Sequence, residues 1–189
     1  MISENAAYSK FYPGMSQQVY APKWYYPKHV KSDARSYSLW GEAKQKDLSS
    51  RFWPDLKELI DELKRKDIIK KDIQLITTIP ASKIEKYNPT LSALGQKMSD
   101  YLNIPFENIL QRIKEGKKSG KILTHQERFE LISDSLRLSR KINESKIALL
   151  DDTKTTGMSI LESKKILNKA GCKEIIALCL GINSNWDRD

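Results

Sequence analysis

The chain has 189 residues, 39% of them hydrophobic and 30% charged, a balance that supports one packed core with an appendage and excludes a disordered chain. A formal net charge of +9 favours phosphate-bearing ligands without choosing between nucleic acid and a small polyphosphate. Cys172 and Cys179 are the only cysteines, which excludes a disulfide framework and a four-cysteine zinc site. The N-terminus has no apolar leader and no run approaches the roughly 18 apolar residues a membrane helix needs, so a cytoplasmic protein without a membrane partner is expected.

Residues 1–48 show no sustained period and hold most of the aromatic residues, from Tyr8 through Trp24 to Trp40. They are expected to form an extension packed through its rings on the body, residues 49–189, or on a second subunit of a homodimer. Interleaved Lys23, Lys28 and Lys31 keep a nucleic-acid stacking surface as the alternative. From Pro54 the spacing of Leu56, Leu59, Ile60 and Leu63 predicts an amphipathic helix ending near Lys66, with the proline in its first turn. Asp72 to Ile79 is a β-branched run closed by Pro80 and predicts a buried strand followed by a loop to Pro89.

Thr90 is the expected cap of a second helix carrying Leu91, Leu94, Met98 and Leu102, and Ile104 to Ile113 is a further candidate strand. Thr124 and Glu127 have capping-box spacing at the start of a third helix through Phe129 and Ile132. Before it lies a basic stretch with Lys114, Lys117, Lys118 and Lys121, read as a loop able to close over a site, with Arg128 at its base. After a short strand at Leu136 and Leu138 comes a βαβ unit: strand Lys146 to Leu150, helix to Ala170, Gly171 as stop, and strand Glu174 to Leu180. The alternation predicts an α/β fold whose parallel sheet is flanked by helices, with ligands beyond the carboxyl ends of its strands.

At the end of the first βαβ strand, Asp151 and Asp152 precede Thr155, Thr156 and Gly157, which open a helix. The helix mouth offers N–H groups and a positive dipole end to a phosphate, whereas the carboxylates would repel it. A ribose 5-phosphate satisfies both, its phosphate on the amide turn and its hydroxyls donating to the acids. Asp, Thr and Gly are also common helix-entry residues, but the whole thirteen-residue arrangement is far more constrained than a cap. His29 and His125 have no acidic or cysteine neighbour at ligand spacing and are not assigned to chemistry.

The segment IALLDDTKTTGMS resembles the motif with which type I phosphoribosyltransferases bind 5-phosphoribosyl-1-pyrophosphate (PRPP). The resemblance implies that Asp151 and Asp152 face the ribose hydroxyls. It also implies that Thr153, Lys154, Thr155, Thr156, Gly157, Met158 and Ser159 wrap the 5′-phosphate. In the order of elements, Ile79-Pro80-Ala81-Ser82-Lys83 takes the place of the family's pyrophosphate loop, with Lys83 and Lys86 supplying charge and Ala81 and Ser82 backbone amides.

Over Asp72 to Gly181 the chain is similar to ComF-like members, through an Ile-Pro loop followed by Tyr87-Asn88 and a basic loop before Leu123 and Arg128. It departs from them at Gly120, where a Gln is usual. The implied reaction displaces pyrophosphate from PRPP by a nitrogen acceptor, typically a nucleobase, with Mg2+ bridging pyrophosphate and ribose oxygens and no direct protein ligand assigned to it. A catalytically silent PRPP or nucleotide sensor that binds nucleic acid or a partner protein is the alternative from another class.

Overall fold

The computed structural model describes residues 2–3, 18–25, 42–115 and 125–183. Its elements in chain order are β1 (Ile2–Ser3), β2 (Val19–Tyr20), β3 (Lys23–Tyr25), α1 (Ser49–Arg65), β4 (Leu75–Thr78), α2 (Pro89–Leu102) and β5 (Leu110–Arg112). There follow α3 (His125–Ile132), β6 (Leu136–Leu138), β7 (Lys146–Lys154), α4 (Met158–Lys169) and β8 (Glu174–Asn183).

The main sheet runs β1-β2-β8-β7-β4, with β3 also paired to β8. Its β4, β7 and β8 are parallel, joined in register from Leu75↔Ile147 to Thr78↔Leu150 and from Lys146↔Glu174 to Lys154↔Ile182. Parallel pairing needs crossovers that cover both faces, and the strands accordingly read as continuous apolar runs. Ile76, Ala148, Leu150, Ile176 and Leu178 face one core with Leu56 and Ile60 of α1 and Leu91 and Leu94 of α2. Leu75, Ile147, Leu149, Ala177 and Cys179 face a second core with Ile160 and Leu167 of α4 and with Ile109 and Leu110. The chain therefore has the α/β architecture expected of it. From the 1–48 segment, β2 and β3 each lie parallel to β8.

Several local expectations are corrected. Helix α1 starts at Ser49, whose N–H donates to the Asp47 carboxylate at 2.8 Å, so Pro54 lies inside the helix and not in its first turn. The cap of α2 is Asn88, whose side-chain oxygen accepts from Thr90 N–H at 3.0 Å and Leu91 N–H at 3.3 Å, with Pro89 at the first helical position. The Thr90 hydroxyl instead bridges to the entry of α1, donating to the Lys46 carbonyl at 2.7 Å and accepting from Leu48 N–H at 2.9 Å. The candidate strand 104–113 contracts to β5, which pairs antiparallel with β6 in a separate two-stranded sheet. Thr124 of the predicted capping box lies outside the described residues.

Helix α4 ends as the sequence suggests. Gly171 adopts φ +102°, and its N–H and that of Cys172 close back on the Asn168 and Leu167 carbonyls at 3.0 and 3.1 Å. Left-handed backbone at that position favours glycine, which is why it marks the stop.

Candidate functional site

Strand β7 continues four residues beyond the predicted Leu150, through Asp151, Asp152, Thr153 and Lys154. Asp151 is the register partner of Cys179, and Thr153 of Gly181. Because side chains alternate along a strand, Asp151 shares the face of Ile147 and Leu149, while Asp152 shares that of Ala148 and Leu150. The two acids, expected side by side on one turn, project to opposite faces.

The alternation extends into the turn. Lys154, Thr156 and Met158 are buried, whereas Asp151, Thr153, Thr155, Gly157 and Ser159 are half-buried. Together these eight residues line a small, open hollow at the mouth of α4. Asp152 is not among its lining residues; its carboxylate pairs with Lys44 Nζ at 3.2 Å.

Gly157 takes φ +77° at the entry of α4, and its carbonyl accepts the helix's bond from Leu161 N–H at 2.9 Å. Only glycine adopts such a backbone without strain. The Thr156 hydroxyl accepts from Met158 N–H at 3.5 Å, so it serves the local turn. Lys154 is 2% exposed, with its stem beneath Gly157. Lys164, behind it on α4, donates to the Gln18 carbonyl at 3.3 Å, and burial first, then the neighbouring Lys154, pushes its pKa down to about 8.

Burial of its carboxyl, and secondarily the Asp152 charge, push the Asp151 pKa up to about 7. The Asp152 N–H, which donates to Asp151 at 2.8 Å, Lys44 and Arg112 all oppose that rise. An acid so poised changes charge easily when hydroxyl donors or a cation arrive.

The second loop sits beside the first. Ile79 N–H donates to the Leu150 carbonyl at 3.0 Å, one residue before Asp151. Ser82, Lys83 and Lys86 are exposed on this loop, and Glu85 holds φ +56° within it. Ala81 N–H donates to the Lys86 carbonyl at 2.9 Å, so this amide, expected to face an anion, closes the loop instead.

Of the basic stretch, Lys114 is exposed, while Lys117, Lys118 and Lys121 lie outside the described residues. Arg128 is half-buried on α3, whose Phe129 and Ile132 pack on Met158 and Leu161 of α4. Arg112 immediately precedes that basic run in the sequence. It is 4% exposed, because it follows Leu110 on the inward face of β5. Its Nε donates to the Ala81 carbonyl at 2.9 Å and its Nη1 to the Ser135 hydroxyl at 2.8 Å. The inward alternation of Leu110 and Arg112 was the available signal for it; none pointed to Lys44.

The chain is 34% identical over 86 residues to Competence protein F of Haemophilus influenzae, which covers 43% of the chain and 37% of that protein. The match is a likeness to Competence protein F over less than half of the chain. The chain spans little more than a third of the curated relative's length. No model of a known protein family matches it. Among solved structures, an allosteric regulatory enzyme of purine biosynthesis aligns over 62% of the chain and 23% of its own length, with 18% identity and a TM-score of 0.40. Among the described residues, no helix is long and apolar enough to cross a membrane.

Proposed function

We propose that the chain binds PRPP at the hollow between β7 and α4 and transfers its phosphoribosyl group to a nitrogen acceptor, releasing pyrophosphate. The observation that carries this reading is the hollow itself, where Asp151 and the Thr153–Ser159 turn line one small space at a helix mouth. A 5′-phosphate suits the turn, because the first N–H groups of α4 have no partners within the helix and its dipole end is positive. Asp151, on the same hollow, accepts from a ribose hydroxyl. Asp152, held by Lys44 on the other face of β7, acts on the site through its charge beside Asp151.

The pyrophosphate falls to the neighbouring Pro80 loop, where Lys83 and Lys86 stand exposed next to the end of β7. In this reaction the acceptor nitrogen forms a bond to C1 as the C1–O bond to pyrophosphate breaks, and the acceptor's proton leaves. Positive charge develops on the sugar and negative charge on the leaving group. The chain's contribution is to fix both ends of PRPP in line and to set cations beside the leaving group.

Magnesium fits this donor set only as a shared ion. Among the described residues no three His, Cys, Asp or Glu side chains gather to cage a metal. Mg2+ is commonly held by one or two carboxylates together with substrate phosphates, and Asp151 and Asp152 are the carboxylates at hand. When bound it would neutralise the departing pyrophosphate.

Calorimetry with PRPP, ribose 5-phosphate and AMP, beside a pyrophosphate-release assay with Mg2+ across a panel of nucleobases, tests the proposal. Preferential PRPP binding with base-dependent release is expected. PRPP binding without release on any base would reduce the chain to a binding module, and no binding of PRPP would overturn the reading.

A further inference from the structure

We propose that Arg112 is a positioning residue that turns the Ala81–Ser82 peptide toward the pyrophosphate, so that β5 helps to shape the Pro80 loop. The inference rests on the PRPP reading and adds to it a residue on neither loop.

The geometry starts from burial. An arginine buried to 4% exposure must find hydrogen-bond partners or destabilise the fold, and Arg112 takes the Ala81 carbonyl at 2.9 Å and the Ser135 hydroxyl at 2.8 Å. Ser135 is fully buried, and its carbonyl accepts from Ile113 N–H at 2.8 Å, so the guanidinium is anchored to the β5–β6 pair. Arginine presents its donors in a rigid planar fork, which fixes the direction of each bond.

The peptide it grips is trans, as are all described peptide bonds. In a trans peptide the N–H points opposite to the C=O. With the Ala81 carbonyl drawn inward to Arg112, the Ser82 N–H is directed away from it. With the Ala81 N–H closing the loop on Lys86, Ser82 is the amide this anchoring leaves for an anion.

The test uses the full chain as wild type, Arg112→Gln and Arg112→Lys. Calorimetry at pH 8.5 measures inorganic pyrophosphate, ribose 5-phosphate and PRPP, each with Mg2+. Arg112→Gln is expected to lower pyrophosphate and PRPP affinity about tenfold and leave ribose 5-phosphate within about threefold. Arg112→Lys keeps the charge and loses the fork, so pyrophosphate affinity stays low. If Gln at this buried position prevents folding, Arg112→Lys still tests the fork.

Wild-type pyrophosphate affinity in the folded variants, or equal losses for pyrophosphate and ribose 5-phosphate, would overturn the inference. Absence of PRPP binding by the wild type would instead overturn the functional reading beneath it, and inorganic pyrophosphate binding by the variants would still decide the role of Arg112.

Discussion

Thr78 and Leu150 are register partners on adjacent parallel strands, and Ile79 N–H extends that ladder to the Leu150 carbonyl at 3.0 Å. Two loops some 70 residues apart in sequence thus leave the sheet at one edge and in one direction, as the crevice rule for open α/β sheets anticipates. The anion-binding halves of the proposed site are neighbours because of this pairing.

Asp151 borders the hollow and Asp152 does not, so the two acids should differ on substitution. Asp151→Asn is expected to weaken PRPP binding about tenfold or more, and Asp152→Asn by less. Calorimetry measures both, with far-UV circular dichroism unchanged. Unchanged affinity in both variants would count against the assignment.

Stability should carry a pH signature from Asp151. Its folded pKa of about 7 lies above the ordinary 3.8, so the folded state holds the proton more tightly. Its stabilising contribution is full below pH 3.8 and is lost as pH rises through about 7. Asp151→Asn should therefore melt higher than wild type at pH 8, with the difference shrinking toward pH 4. Ligand binding by the wild type should strengthen over the same rise, as the carboxylate becomes available. Melting curves and calorimetry between pH 4 and 8 check both signs.

Gly95 of α2 meets the ring of Phe106, and a Cβ there would sit about 2.3 Å from the nearest ring carbon. Phe106 in turn bridges to Ile76 on β4. Gly95→Ala should cost about 1–3 kcal/mol through overpacking, despite the better helix propensity of alanine. Adding Phe106→Leu should recover part of the loss, read by urea denaturation.

At Gly157 the space is ordinary, the nearest contact of an added Cβ being Lys154 Cε at 3.4 Å. The cost of Gly157→Ala then comes from φ +77° alone, about 1–2 kcal/mol. Because that turn forms the mouth of α4, PRPP affinity should fall together with the melting temperature. A lower melting temperature with intact affinity would separate Gly157 from the phosphate site.

Local chemistry made much of this legible in the residues. The apolar run into Asp151, the helix-entry threonines and Gly171 as stop all reflect backbone preferences that act within a few residues, and β7, α4 and β8 follow them. Errors came where a distant contact outweighed a local rule. Thr90 has a capping side chain, yet its hydroxyl joins Lys46 and Leu48, and Asn88 caps instead. Pro54 suits a first turn, yet α1 begins five residues earlier at Ser49.

The residue order alone determined which segment would carry the proposed anion site, since a helix mouth after a buried strand is built from consecutive positions. Tertiary structure decided which face each aspartate takes, because continued pairing of β7 with β8 carries the strand past Leu150 and strand alternation then separates Asp151 from Asp152. It also decided that Arg112 is interior. A lone arginine in a basic run looks solvated until the packing of β5 buries it, and burial obliges its donors to find Ala81 and Ser135.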